Sequence, residues 1–348
     1  MSYFKENIDA MTAYVPGEQP GAGEKVIKLN TNENPYPPSP AAMKVLRDFD
    51  GDMLRRYPNP VADAFRQTVA RVLDVPAGWV LPGNGSDELI VMIARAAGGA
   101  GKPIAYPTPT FEYYLTQAQI QQGGPSEVPY DEDYNLPVDG LIAARAAVTF
   151  VASPNSPSGT AAGMDELERL AKGSSGLVVI DEAYVDFAGE DALHLARRYE
   201  NVVVMRTLSK GYSLAGLRLG YVVANPAIID ALMKVKDIYN VGALPCAVGA
   251  AAFADQAYLR QMAARIIASR EKLTADLQAM GWRVWPSRAN FILARPGDGA
   301  AEGLYQSLKR RGILVRYFKG PRLGDKLRIT IGSEGQNEAL VAALKERA

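Results

Sequence analysis

Lys210 lies in the run Arg206-Thr207-Leu208-Ser209-Lys210-Gly211-Tyr212-Ser213-Leu214-Ala215-Gly216-Leu217-Arg218, directly after the apolar stretch Val202 to Met205. The pattern is that of a strand ending in small and hydroxylated residues, with one lysine held there and an arginine close behind. It suits a lysine that forms an imine with an aldehyde carrying a phosphate. The lysine supplies the amine. The hydroxyls of Thr207 and Ser209 and the guanidinium of Arg218 supply donors for the phosphate.

Two further strand ends carry matching chemistry. Leu177 to Ile180 is a buried-type strand that ends in Asp181-Glu182-Ala183-Tyr184. An aspartate at the carboxyl end of a parallel strand faces the crevice where α/β proteins bind ligands. Beside a pyridine nitrogen its charge would keep that nitrogen protonated, which makes the ring a better electron sink. An apolar run ending in Asp-Glu also fits the magnesium-binding strand of a P-loop NTPase. That alternative needs a G-x-x-x-x-G-K-[ST] loop, and the chain has none. Glu182 is read as structural. Ser153-Pro154-Asn155-Ser156-Pro157-Ser158-Gly159-Thr160 follows the strand Ala147 to Ala152, where Asn155, like Tyr184, could donate to a phenolate oxygen. Gly83-Asn84-Gly85-Ser86-Asp87-Glu88 opens the helical run Leu89 to Ala97, and a glycine- and serine-rich helix start offers free backbone N–H groups to a phosphate.

With these segments on the page, the chain resembles the fold type I pyridoxal-phosphate-dependent aminotransferases, and among them the histidinol-phosphate aminotransferases. The likeness runs from Tyr14 to Arg328. It includes Leu29-Asn30-Thr31-Asn32-Glu33-Asn34-Pro35, Arg56-Tyr57-Pro58, Pro109-Thr110-Phe111, Ala289-Asn290-Phe291 and Leu327-Arg328-Ile329-Thr330-Ile331-Gly332. The resemblance implies pyridoxal 5'-phosphate as cofactor and no metal. It makes Lys210 the imine-forming lysine and proton carrier, Asp181 the partner of the ring nitrogen, and Tyr184 and Asn155 the donors to the ring oxygen. Phe111 is the stacking ring, where many relatives have tyrosine. Ser86, Asp87, Thr207, Ser209 and Arg218 form the phosphate group, Asp87 through its backbone, with the role of its carboxylate open.

The resemblance also makes Arg328 the grip on the α-carboxylate of glutamate or 2-oxoglutarate. Tyr14, Asn30, Tyr57 and Arg316 surround the phosphate end of histidinol phosphate, with Tyr57 contributed by the second subunit of a homodimer; Tyr57 would also touch the cofactor phosphate. The role of Arg322 stays open. The implied reaction transfers the amino group of histidinol phosphate to 2-oxoglutarate in histidine biosynthesis. An aminotransferase for aromatic amino acids, a phosphothreonine decarboxylase and a non-catalytic cofactor-sensing regulator remain as alternatives.

Bulk properties agree with such an enzyme. The 348 residues suffice for two domains, and the formal net charge of zero favours neither nucleic acid nor an anionic membrane. One cysteine, Cys246, excludes an intrachain disulfide. One histidine, His194, excludes a site built from several histidines. No signal peptide or transmembrane run is evident, so the expected location is the cytoplasm.

The elements that must position these residues follow from hydrophobic patterning. Helices are expected over Pro40 to Phe49, Ala62 to Leu73 and Met164 to Lys172, and strands at Val26 to Leu29, Ile104-Ala105 and Leu219 to Ala224. Beyond Pro245 come one long helix from Ala247 to Met280 and strands at Trp282 to Val284, Asn290 to Leu293 and Leu327 to Ile331. Helices follow at Ala301 to Arg311 and Glu334 to Arg347. The fold class is α/β. Its expected parts are an arm over residues 1–35, a large cofactor domain over 36–245 and a smaller C-terminal α/β domain over 246–348. The large domain is expected to hold a mostly parallel sheet, seven-stranded by resemblance, between layers of helix.

Overall fold

The computed structural model describes residues 2–14, 17–21 and 23–346; Pro16 of the arm and Arg347 at the end of the last expected helix lie outside them. Twelve strands are described: β1 (Ile27–Leu29), β2 (Val80–Gly83), β3 (Ile104–Thr108), β4 (Pro125–Pro129), β5 (Val148–Ala152), β6 (Leu177–Asp181), β7 (Val202–Thr207), β8 (Gly220–Ala224), β9 (Arg283–Val284), β10 (Phe291–Arg295), β11 (Ile313–Tyr317) and β12 (Leu327–Thr330). They form a seven-stranded sheet in the order β2-β8-β7-β6-β5-β3-β4 and a five-stranded sheet in the order β1-β11-β12-β10-β9.

In the large sheet only β8 runs against its neighbours. The carboxyl ends of β2, β7, β6, β5 and β3 therefore share one edge, and the chain enters β8 from that same edge. Fully buried runs such as Val-Thr-Phe-Val-Ala and Val-Val-Val-Met-Arg-Thr are strands covered on both faces. Alternate side chains serve the two layers. Phe150, Val179 and Val203 pack with Leu89, Ile93 and Tyr114, while Val151, Ile180 and Val204 pack with Leu167, Leu170 and Leu195.

The small sheet recruits the arm: β1 pairs in parallel with β11, with Leu29 opposite Val315. Among the described residues no helix is long and apolar enough to cross a membrane. Ser39 caps the helix Pro40–Asp48 by accepting the Ala42 N–H, with proline at the first position, as its sequence anticipates.

Three strands go beyond the sequence expectation. β2 contains Pro82 and β4 begins and ends in proline, a residue that weakens a strand signal because it donates nothing to the ladder. β4 is the edge strand of its sheet, where this is tolerated. β11, Ile-Leu-Val-Arg-Tyr, is simply short and follows a helix closely. The helix expected over 247–280 is two helices, Ala243–Ala254 and Gln256–Ala279. Asp255 leaves helical geometry (φ −89°, ψ 62°) and its carboxylate accepts the Tyr258 N–H, so a local side-chain bond replaces a turn of helix.

Candidate active site

The shared edge of the large sheet holds a cavity of about 230 Å³, lined by Ser86, Phe111, Asp181, Tyr184, Ser209, Lys210 and Arg218 among others. A second cavity of about 480 Å³ shares Phe111, Tyr184, Lys210 and Arg218 with it and extends to Tyr14, Asn30, Arg316 and Arg328. Most of the residues expected to act are thus brought to one place from five strand ends and from the small sheet.

Lys210 is fixed from both sides. The Asn34 side-chain amide donates to the main-chain oxygens of Lys210 and Gly211, both at 3.1 Å. The Lys210 Nζ donates to Thr31 O at 3.3 Å and lies 5.8 Å from the centre of the Tyr184 ring. The segment after β1 therefore forms one wall of the site. Asn32, in left-handed geometry (φ 57°), donates its Nδ2 to the Tyr184 hydroxyl at 2.9 Å. Its main chain is stitched to Thr330 and Asn290 of the small domain.

Asp181 ends β6 and is 5% exposed. The Tyr114 hydroxyl donates to its Oδ2 at 2.6 Å and the Ala183 N–H to its Oδ1 at 3.1 Å. Burial outweighs these bonds and pushes its carboxyl up to about 6. Burial and the neighbouring Asp181 raise the Tyr114 phenol well above its ordinary value, so it remains a donor. A buried acid held by one phenol and one amide, with no ion pair among the described residues, suits a cationic ring N–H. Tyr114 was not anticipated from the sequence; its signal is the three-residue spacing from Phe111 at the start of the helix Tyr113–Ile120. The Phe111 and Tyr114 rings meet edge to face with centroids 5.7 Å apart.

The phosphate-type cradle is built where β2, β7 and β8 meet. Asn84 makes no side-chain cap on the helix Gly85–Ala97, which leaves the first-turn N–H groups facing the cavity beside Ser86. The Thr207 hydroxyl donates to the Ser209 hydroxyl at 3.0 Å. The Arg218 Nη2 donates to Asp87 Oδ2 at 2.9 Å, which gives the Asp87 carboxylate its role of aiming the guanidinium. Two glycines keep the cradle open. A Cβ on Gly220 would lie 2.7 Å from Ser86 N, and one on Gly85 would lie 2.5 Å from Arg218 Nη2. Gly85 also has φ +79°, which an L side chain rarely adopts. We expect Gly85→Ala to weaken cofactor affinity about tenfold through displacement of Arg218, a cost of 1–3 kcal/mol for strain of this kind. Spectroscopic titration of the apo chain with cofactor measures it.

At the far wall, Arg328 on β12 lies opposite Arg316 on β11. Arg328 Nη1 donates to Ser156 Oγ and Nη2 to Asn30 O, both at 2.9 Å. Burial pushes its ionisation down. Among the described residues Arg328 Nε, Asn30 Oδ1 and Thr31 Oγ1 are buried without a hydrogen-bond partner. Such atoms at a cavity wall suit a polar ligand. Tyr14 meets Phe111 edge to face at 6.3 Å, and burial raises its phenol.

Not every expected residue converges. Asn155 is 1% exposed and lines neither cavity. Its Nδ2 donates to Ser158 Oγ at 2.9 Å and to Pro109 O at 3.3 Å, while its Oδ1 accepts from Thr110. Here it braces the Pro109–Phe111 loop rather than presenting a donor to the site. Tyr57 is 82% exposed, stacked on Tyr239 with centroids 4.5 Å apart, and does not reach the cavities of its own chain. Arg322 turns away from Arg316 and clamps the carbonyls of Thr108, Tyr130 and Asp131. Glu182 pairs with Arg206 at 2.7 Å inside the core, and His194 is exposed on the helix Leu193–Arg198.

Comparison with known proteins agrees with this geometry. The chain belongs to the family described as aminotransferase class I and II, whose sequence pattern matches residues 24–344. Within it, the chain is 54% identical over 345 residues to histidinol-phosphate aminotransferase 1 of Trichormus variabilis, covering 99% of each chain. It is 44% identical over 347 residues to the histidinol-phosphate aminotransferase of Geobacter sulfurreducens, again covering 99% of each. The crystal structure of histidinol-phosphate aminotransferase from Sinorhizobium meliloti in complex with pyridoxal-5'-phosphate superposes with a TM-score of 0.90. It shares 27% identity, with 99% of this chain and 97% of that one covered.

Proposed function

We propose that the chain catalyses reversible transamination between L-histidinol phosphate and 2-oxoglutarate, giving imidazole-acetol phosphate and glutamate, as a cytoplasmic step of histidine biosynthesis with pyridoxal 5'-phosphate as cofactor. The observation that carries this reading is the continuity of the Lys210–Asp181 cavity with one reaching Arg316 and Arg328. One end is built for a phosphorylated pyridine. The other offers two guanidinium groups to a second anion.

Bound there, pyridoxal phosphate supplies an aldehyde for the amine and a ring that withdraws electrons from the substrate Cα. The chain does the rest. Asp181 holds a proton at the ring nitrogen, and Tyr114 fixes the carboxylate that does so. Ser86, Thr207, Ser209, Arg218 and the N–H groups of the helix start hold the phosphate, Phe111 covers the ring, and Tyr184, fixed by Asn32, donates to the ring oxygen. Lys210 Nζ, a general base held by Thr31 and by Asn34, would take the proton from the substrate Cα and deliver it to the carbon that was the cofactor's aldehyde. Arg328 orients the glutamate carboxylate through its fork. Arg316, Tyr14 and Asn30 receive the substrate phosphate.

The same reading makes the active unit a homodimer in which Tyr57 completes the partner's site. Tyr57, Tyr239, Leu54 and Ile238 are large apolar or aromatic side chains exposed in neighbouring segments, which supports a covered surface there. It also divides the chain into an arm over 1–35, a cofactor domain over 36–245 and a small domain over 246–348, with the β1–β11 pairing supporting an arm that docks on the small domain.

Mixing the aldehyde form of the protein with histidinol phosphate and following visible absorbance tests the function. Conversion to the amine form supports it. An unchanged spectrum with both histidinol phosphate and glutamate defeats it, and a clear preference for phenylalanine replaces the substrate. Arg328→Lys is expected to lower kcat/KM for glutamate by about 10- to 100-fold, because a point charge replaces a bidentate fork. Histidinol phosphate has no carboxylate and should lose less. Half-reaction rates with each substrate measure the difference.

A further inference from the structure

The larger cavity is polarised in a way the transfer reaction alone does not require. Its small-sheet wall carries Arg316 and Arg328. Its wall on the outer edge of the large sheet carries Tyr106 of β3 and Glu127 of β4, which face each other in register. The Tyr106 hydroxyl donates to Glu127 Oε1 at 3.1 Å. Tyr106 is 2% exposed, and burial together with the adjacent Glu127 raises its phenol, so it stays protonated and keeps donating. Glu127 makes no ion pair among the described residues. One carboxylate oxygen is thus fixed by a buried phenol, while the other has no hydrogen-bond partner among the described residues.

The substrate in the proposed function has two arms on its amine-bearing carbon, a phosphate ester and an imidazole. A carboxylate on the large-sheet wall repels the first and accepts an N–H from the second. The two guanidinium groups across the cavity have the opposite preference. We propose that Glu127, oriented by Tyr106, accepts the ring N–H of the imidazole and so selects for that ring and for the direction in which the amine lies. This inference rests on the histidinol-phosphate reading of the site. It makes Glu127 a specificity-determining residue and Tyr106 a positioning residue.

The test uses the holoenzyme with two amine donors, histidinol phosphate and phenylalaninol phosphate, which puts a phenyl ring where the imidazole stands. The readout is the ratio of kcat/KM for the first to that for the second. For Glu127→Gln the ratio should fall about 10-fold, the effect of exchanging a charged hydrogen-bond acceptor for a neutral one. Tyr106→Phe should move it the same way by less. An unchanged ratio in Glu127→Gln, or an equal loss with both donors, overturns the role of Glu127. A fall in Glu127→Gln with none in Tyr106→Phe overturns the positioning role. Wild-type protein inert with histidinol phosphate overturns the proposed function, and the inference with it, which separates the two failures. Glu127 is exposed on an edge strand, so the variant chain should melt with the wild type.

Discussion

Lys210→Ala should abolish amino-group transfer, with kcat reduced on the order of 10⁴-fold. Among the described residues the amine is the one nitrogen nucleophile that lines both cavities, and in the proposed function it serves twice, as the attachment point for the aldehyde and as the carrier of the Cα proton. No neighbour replaces it: the other basic side chains lining the cavities are the guanidinium groups of Arg218, Arg316 and Arg328, which are not nucleophiles. Borohydride reduction followed by mass measurement gives an independent check. The wild-type chain should gain the mass of the reduced cofactor on the peptide containing Lys210, and the variant should not. The variant should still fold, because the wild-type side chain makes one long hydrogen bond to Thr31 O and is not part of the core.

The centre of the candidate site was legible because it lies where local sequence signals are strongest. Lys210, Asp181, Ser86 and Phe111 all follow buried strands or open helices, and a strand end fixes where the next side chain points. The residues that make those groups work were harder to read. Tyr114 reaches Asp181 from a helix 67 positions earlier, and Asn34 reaches the Lys210 carbonyl across 176. No local period encodes such pairs. Arg322 shows the converse. Six residues after Arg316 it is a further cation whose role the sequence leaves open, and its guanidinium closes three backbone carbonyls near β3. Asn155 sits in the expected loop and turns its amide to the loop itself. In the fold, two of the three unread strands, β2 and β4, contain prolines, and β3, with Pro107, was read only at its first two residues; there pairing partners rather than propensity decide the conformation.

Asp181→Asn separates function from stability, and its two effects have opposite signs. Activity should fall by about 10²- to 10³-fold, because the amide no longer holds a proton at the ring nitrogen, a loss of charge stabilisation comparable to removing one preorganised catalytic donor. Stability of the apo chain should move the other way. The Asp181 carboxyl is pushed up to about 6 in the folded chain, from 3.8 as the unperturbed value, chiefly by burial. A carboxyl whose folded pKa is raised binds protons more tightly folded than unfolded. Its contribution therefore favours folding below about pH 4 and is lost as the pH rises through 6, an amount on the order of 3 kcal/mol. The asparagine variant carries no such titration. Relative to wild-type apo protein it should gain stability between pH 4 and 6 and hold that gain above, while its oxygen still accepts from Tyr114. Urea unfolding of both apo chains across this range measures the difference. Adding cofactor should reverse the order at neutral pH, since a cationic ring nitrogen compensates the buried carboxylate and does nothing for the amide. A wild-type chain that keeps its disadvantage when loaded would mean that the acid at 181 does not face the ring nitrogen at all.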